Sequence, residues 1–189
     1  MGIVILWKVY KMIKIFDNFL PEEQHRLIYD SMFQNSIFPW FISPILTDSW
    51  IHCDSKENLQ FSSWIYKDFR PEGPQFDLFL PIIYHPELGI KSIKRIKANL
   101  NLQTPEIITH GFHVDDPTLK NPAHNAIYYV NSNDGYTLFE DGTKIESVEN
   151  RLVIFNSLLK HTGSSCTDEK LRCVVNFLYY SDNREDYES

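Results

Sequence analysis

Three side chains in this sequence could share one metal ion. In His113-Val114-Asp115 the two polar residues lie two apart, so on an extended backbone both project from the same face. His161 follows the apolar run RLVIFNS that begins at Arg151. Two imidazoles and one carboxylate form a facial ligand set that leaves adjacent coordination positions open, as iron(II) oxygen chemistry requires and a closed structural zinc site does not. The tripeptide alone carries little weight, because His-x-Asp recurs by chance and a histidine at a strand end is commonly a surface residue.

Arg172 adds the second chemical feature. It opens the run RCVVNFL, which is largely apolar on both faces. Pointing inward, its guanidinium needs an anion, since an unpaired buried charge costs on the order of several kcal/mol. A dicarboxylate held by its far end would supply a bidentate partner. Pointing outward from the strand's start, it meets water. The residues alone leave both orientations open.

These groups need a scaffold, and strand signals dominate from Ile90 onward. KSIKRIKANLNLQ, GFHVD, NAIYYVNS, DGYTLFED, TKIESV, RLVIFNS and LRCVVNFLYY are separated by Asn, Asp and Gly, the pattern of an all-β sandwich or barrel. Before them, MIKIF (12–16) predicts a strand. A helix is expected to run to about Gln34, with Leu27, Ile28, Met32 and Phe33 on its apolar face. QFDLFLPIIYHP (75–86) is apolar at helical spacing, with Pro81 kinking a helix or marking its first turn. Ile37 to Pro74 shows no clean period and reads as irregular cover. The expected architecture is mainly β with N-terminal helices, an α+β chain built on a double-stranded β-helix (jelly-roll, cupin-like) core. One domain over 1–189 is expected, with 1–89 as helical or irregular support and 90–181 as the core.

Composition agrees with a single sizeable core: 189 residues, 43% apolar and 14% aromatic. The net charge of −7 argues against a nucleic-acid backbone as main partner. Lys8, Lys11 and Lys14 interrupt the apolar opening segment, which reads as neither signal peptide nor membrane span. Cys53, Cys166 and Cys173 are odd in number and without a CxxC pair, so a cytoplasmic, reducing location is expected. Lys91, Arg95 and Lys97 share a strand face that reads as solvated. His110 and His124 read as loop or surface residues, and His25, His52 and His85 have nothing at ligand spacing. Cys173 suits a small core position, Asp116 suits turn chemistry, and the acidic tail after Tyr180 reads as solvated.

With these residues in view, the run from Gly111 to Tyr180 resembles the catalytic core of the 2-oxoglutarate/iron(II) dioxygenases, in the prolyl-hydroxylase-like branch. FHVDD, AIYYVN, DGYTLFEDG, RLVIFNSLLKHTG and LRCVVNFLYY occur in the family's order. IFDNFLPEEQHRLI and the aromatic FPWF segment give a looser likeness in the N-terminal half. The resemblance implies His113, Asp115 and His161 as ligands of Fe(II), with O2 and 2-oxoglutarate as co-substrates. Arg172, eleven residues after His161, would hold the far carboxylate of 2-oxoglutarate, Tyr129 would hydrogen-bond that carboxylate, and Thr137 would line its pocket. Two positions depart from the pattern: Asp134-Gly135 stands where relatives have Gly-Gly, and Gln103 where many have tyrosine.

The resemblance implies hydroxylation of a C–H bond in a protein, peptide (prolyl included) or small-molecule substrate, with decarboxylation of 2-oxoglutarate to succinate. The loop 116–125 could close over such a substrate. Two other readings stand beside it. One is a catalytically inactive jelly-roll protein with a metal-binding or regulatory role; the other is a hydrolytic zinc site, in which Arg172 and Tyr129 would have no task.

Overall fold

Two neighbouring tyrosines show how the chain separates its layers. Tyr128 and Tyr129 are both fully buried, yet strand alternation sends them to different hydrophobic clusters on opposite faces of one sheet. The computed structural model describes residues 3–8, 11–34, 37–43, 45, 60–119 and 123–181. Its strands are β1 (Ile3–Lys8), β2 (Lys11–Phe16), β3 (Phe41–Ser43), β4 (Gln60–Lys67), β5 (Arg70–Pro71) and β6 (Ile90–Leu102) in the first half. The second half supplies β7 (His124–Tyr129), β8 (Tyr136–Phe139), β9 (Lys144–Glu146), β10 (Arg151–Asn156), β11 (His161–Gly163) and β12 (Leu171–Ser181). Helix α1 (Glu22–Phe33) follows β2, and a 3-10 segment (Pro74–Phe79) leads into α2 (Leu80–Ile83), where Pro81 lies in the first turn.

The large antiparallel sheet runs β1-β2-β10-β7-β12-β6-β4-β3, with β5 on β4; the small one runs β11-β8-β9. Phe139 and Ile145 of the small sheet pack with Ile127, Tyr129, Val153, Phe155 and Val174 of the large sheet, so this cluster lies between the sheets. The opposite face of the large sheet packs Tyr128, Leu152, Cys173, Val175 and Phe177 against Ile28 and Met32 of α1 and Phe79 and Ile82 of the helical segment. β7 is covered on both sides, which explains why its six residues are all buried and show no polar alternation. This is the mainly β, double-stranded β-helix architecture with N-terminal helices that the strand signals predicted.

The irregular cover expected for 37–74 is in part strand. β4 pairs with β6 inside the large sheet, and its register shifts between Trp64 and Tyr66. Such a shift re-aims side chains and breaks the period that would mark a strand. The part of that segment at 44 and 46–59, with His52 and Cys53, lies outside the described residues, as do 120–122 of the expected closing loop and tail residues 182–189. Among the described residues no helix is long and apolar enough to cross a membrane.

Leu27 is 59% exposed, whereas His25, Ile28 and Met32 are buried. The helix turns a stripe at i, i+3 and i+7 inward, and a histidine occupies one core position because both ring nitrogens find partners. His25 Nδ1 lies 2.6 Å from Tyr128 Oη, and its Nε2 2.8 Å from Glu149 Oε1. The Tyr128 hydroxyl donates to Asn150 Oδ1 at 3.1 Å, and Asn150 also clamps both backbone groups of Leu20, at 3.0 and 2.8 Å. Asn150 itself sits at φ 56°, a left-handed conformation that asparagine tolerates. Tyr128→Phe is therefore expected to cost about 1–3 kcal/mol in urea unfolding, with an unchanged m-value, because two buried partners lose a bond together. His124, expected at the surface, is instead 2% exposed in β7, its ring centroid 5.5 Å from that of Tyr179.

A candidate metal and carboxylate site

The backbone brings the two histidines together. His113 N donates to His161 O at 2.9 Å and His161 N to His113 O at 3.0 Å, a one-pair bridge that extends the small sheet. Their ring centroids stand 5.1 Å apart. Each ring is oriented by the carbonyl two residues earlier: His113 Nδ1 lies 3.1 Å from Gly111 O, and His161 Nδ1 3.0 Å from Leu159 O. With Nδ1–H donating to a carbonyl, Nε2 keeps its lone pair for a metal. Asp115 Oδ2 lies 3.8 Å from His161 Nε2. His113, Asp115 and His161 thus offer three ligand atoms within 4.8 Å of one another. The set of two nitrogens and one oxygen fits a divalent transition metal.

The other Asp115 oxygen is held from beneath. Arg95 Nη2 donates to Oδ1 at 2.6 Å and Nη1 to the Asp115 carbonyl at 3.0 Å. Burial pushes the Asp115 carboxyl up, but Arg95, His161 and His113 together outweigh it and hold the group at about 2. Burial lowers His161 as well. Both groups are therefore in the form that binds a cation at neutral pH.

Arg172 answers the question of its orientation by pointing inward, 2% exposed. Its Nε donates to Ser147 Oγ at 2.8 Å and Nη2 to Thr137 Oγ1 at 3.2 Å. Among the described residues no carboxylate pairs with it. The Tyr129 ring lies 5.7 Å from the guanidinium carbon, and its hydroxyl donates to Thr137 Oγ1 at 2.7 Å. Thr137 faces the cavity, while Tyr129 stands behind it and lies outside the cavity lining. Gly135 is required here: a Cβ would come within 2.6 Å of both Ser165 O and Arg172 Cδ.

A single cavity of about 100 Å³ joins the two ends, lined by His113, Asp115 and His161 on one side and by Thr137, Gly163 and Arg172 on the other. Its floor is β6, whose inward row is Arg95, Lys97, Asn99 and Asn101. This corrects the solvated-face reading of Arg95 and Lys97. Burial, with repulsion from Arg95, brings the Lys97 ammonium down to about 8. His110 lines the wall rather than the surface; its Nε2 lies 3.3 Å from Asn101 Nδ2. Burial, then Arg172 and His113, push it down to about 4. A signal for these residues was present: polar 95, 97, 99 and 101 alternate with apolar 96, 98 and 100, all three buried.

The two departures from the family pattern lie outside the cavity. Gln103 is exposed and donates to Thr167 O at 2.5 Å. The Asp134 carboxylate accepts from Thr167 N at 2.7 Å and from its hydroxyl, bracing the turn before β8. Asp116 takes the turn role expected of it, accepting from Thr118 N at 2.9 Å, and Cys173 is fully buried in the core.

No family model matches the chain, and no curated protein sequence matches it. Solved structures do. A prolyl-4-hydroxylase from Pseudomonas putida is 15% identical, with a TM-score of 0.52 over 89% of this chain and 92% of its own. A prolyl hydroxylase from Trichoplax adhaerens, in complex with a hypoxia inducible factor oxygen degradation domain peptide fragment, is 15% identical, with a TM-score of 0.56 over 94% and 87%. A 2OG-Fe(II) oxygenase family oxidoreductase from Burkholderia pseudomallei is 14% identical, with a TM-score of 0.60 over 92% and 86%. The chain has the fold of the 2-oxoglutarate/iron(II) oxygenases in its prolyl-4-hydroxylase-like form, in agreement with the resemblance its motifs carry.

Proposed function

We propose that this protein is an iron(II)- and 2-oxoglutarate-dependent dioxygenase that hydroxylates a C–H bond of a peptidyl, prolyl included, or small-molecule substrate. His113, Asp115 and His161 would hold the iron, and Arg172 with Thr137 the far carboxylate of 2-oxoglutarate. Tyr129 would act by orienting Thr137. One observation carries the reading: a metal-ligand set and a buried arginine that has no carboxylate partner among the described residues face each other across one small cavity. A hydrolytic metal site would leave that arginine without a purpose.

Bound iron(II) would activate O2 and oxidise the substrate while 2-oxoglutarate is converted to succinate and CO2. The protein's share is orientation and electrostatics. Gly111 and Leu159 carbonyls fix the imidazoles, and Arg95 fixes the carboxylate. We take residues 1–189 as one catalytic unit, because β1–β5 belong to the same sheet as the core strands. A reducing cytoplasm suits both iron(II) and the buried free thiols of Cys166 and Cys173.

Anaerobic titration with iron(II) and then 2-oxoglutarate tests this reading. A weak visible charge-transfer band, saturating at one equivalent of each, is expected. Absence of both the band and 2-oxoglutarate binding would overturn it.

A further inference from the structure

The cavity carries more positive charge than the proposed function uses. Arg95, Lys97 and Arg172 line it against a single described carboxylate, Asp115. Arg95 is spent on Asp115. Iron(II) and 2-oxoglutarate bring equal and opposite formal charges, and Arg172 is assigned to the co-substrate. Lys97 remains: Asp115, already engaged by Arg95, attracts it, but among the described residues no acid forms an ion pair with it.

Its surroundings are those of a recognition group. On the β6 floor, Asn101 lies opposite Arg172, whereas Lys97 lies four residues further along, opposite Asn176 of β12 and Trp64 of β4. Four strand residues span roughly 13 Å, so the two cations rise from different depths. Lys97 Nζ stands 5.1 Å from the Trp64 ring centroid, and Lys67 Nζ 5.0 Å from the same ring. The aromatic face steadies the ammonium without neutralising it. Next to it in the row, Asn99 has a buried side-chain oxygen with no hydrogen-bond partner, an acceptor open to an N–H or O–H of the molecule whose carboxylate meets the ammonium. Asn176 also lines the cavity. Beyond Lys97, a second cavity, in which Lys67, Lys94 and Arg95 stand beside Asp68 and Asp116, continues past the Trp64 and Phe69 rings.

We propose that Lys97, flanked by Asn99, Asn176 and Trp64, binds a carboxylate of the primary substrate, so that the protein acts on an acidic substrate. This rests on the dioxygenase reading, in which Arg172 belongs to 2-oxoglutarate. The oxidised C–H bond would then lie within a few bonds of the substrate's acidic group, because Lys97 and the metal ligands line one small cavity. A partly desolvated ammonium gains from such a pair, and selectivity follows because an isosteric amide leaves the charge unmet.

The test uses the full chain loaded with manganese(II) and 2-oxoglutarate, which permits binding without turnover. Co-substrate affinity is measured first, since its absence would sink the dioxygenase reading itself. The loaded protein is then dialysed against blocked Pro-containing pentapeptides carrying Asp or Glu, and against the same peptides carrying Asn or Gln. N-acetylalanine and N-acetylalanine amide form a second, free-acid arm. Acidic members of at least one arm are expected to be retained about tenfold better. That preference should fall to about twofold or less in Lys97→Met, survive in Lys97→Arg, and be unchanged in Lys67→Met. Retained 2-oxoglutarate affinity in Lys97→Met shows that the variant is folded. Equal retention of acid and amide in both arms, a preference that persists in Lys97→Met, or displacement of the acidic peptides by a single-stranded oligonucleotide each overturns the proposal.

Discussion

Replacing Arg172 with methionine is expected to raise the 2-oxoglutarate requirement by about 10²- to 10³-fold, as befits loss of a buried, hydrogen-bonded charge partner. Metal affinity should change by about twofold or less, because Arg172 touches none of the three proposed ligands; it hydrogen-bonds Ser147 and Thr137 and faces the Tyr129 ring. Stability of the unliganded protein should move in a different manner from affinity. A buried guanidinium without a carboxylate is costly to hold, and a flexible apolar side chain of similar length can be neutral or favourable in its place. Against that stand the unpaired hydroxyls of Ser147 and Thr137, so a net change of about 1–2 kcal/mol or less is expected. Calorimetric titration with metal, then with 2-oxoglutarate, separates these effects, and urea unfolding supplies the third. Lost metal binding with intact co-substrate affinity would reverse the division of roles between the two ends of the cavity.

What could be read from sequence here depended on how few uses a residue pattern has. Short strand signals in series made the fold legible, whereas a His-x-Asp pair, a histidine after a buried strand and an arginine opening an apolar strand, which have few joint uses, made the site legible. The β6 cations were harder. Alternation divides Arg95, Lys97, Asn99 and Asn101 from Ile96, Ala98 and Leu100, but it does not say that the polar face lines an interior cavity. In a two-sheet fold the inner face can hold a site, so a polar row need not be a wet one. β4 was obscured by its own register shift. Tyr129 and Thr137 illustrate a third limit: strand alternation assigns a face, whereas their order in depth, threonine before tyrosine, depends on how the small sheet folds over the large one. His25 occupies an apolar position because its partners, Tyr128 and Glu149, arrive from more than 100 residues away.

The second large effect is expected at Arg95, the residue whose role was least visible. Arg95→Met should weaken metal binding about 10- to 100-fold at neutral pH, the usual scale for loss of an outer partner that orients a ligand. The pH dependence distinguishes orientation from simple bulk. In the unaltered protein the Asp115 carboxyl is held at about 2 against the upward push of burial. A carboxyl with a depressed folded value contributes stability that is present above its unfolded value near 4 and is lost as pH falls through about 2. Metal binding at pH 5 then displaces no proton from Asp115. Without Arg95 the largest downward influence is gone, burial drives the carboxyl up against the two imidazoles alone, and binding at low pH is expected to displace more proton from Asp115. Metal titrations in buffers of different ionisation enthalpy should therefore show greater proton release in Arg95→Met than in the parent. Arg95→Lys should restore part of the low carboxyl value but only part of the affinity, since an ammonium is a point charge and lacks the planar fork that spans Asp115 Oδ1 and its carbonyl. Equal proton release and equal affinity in all three proteins would mean that Arg95 closes the cavity floor without setting the state of the carboxylate above it.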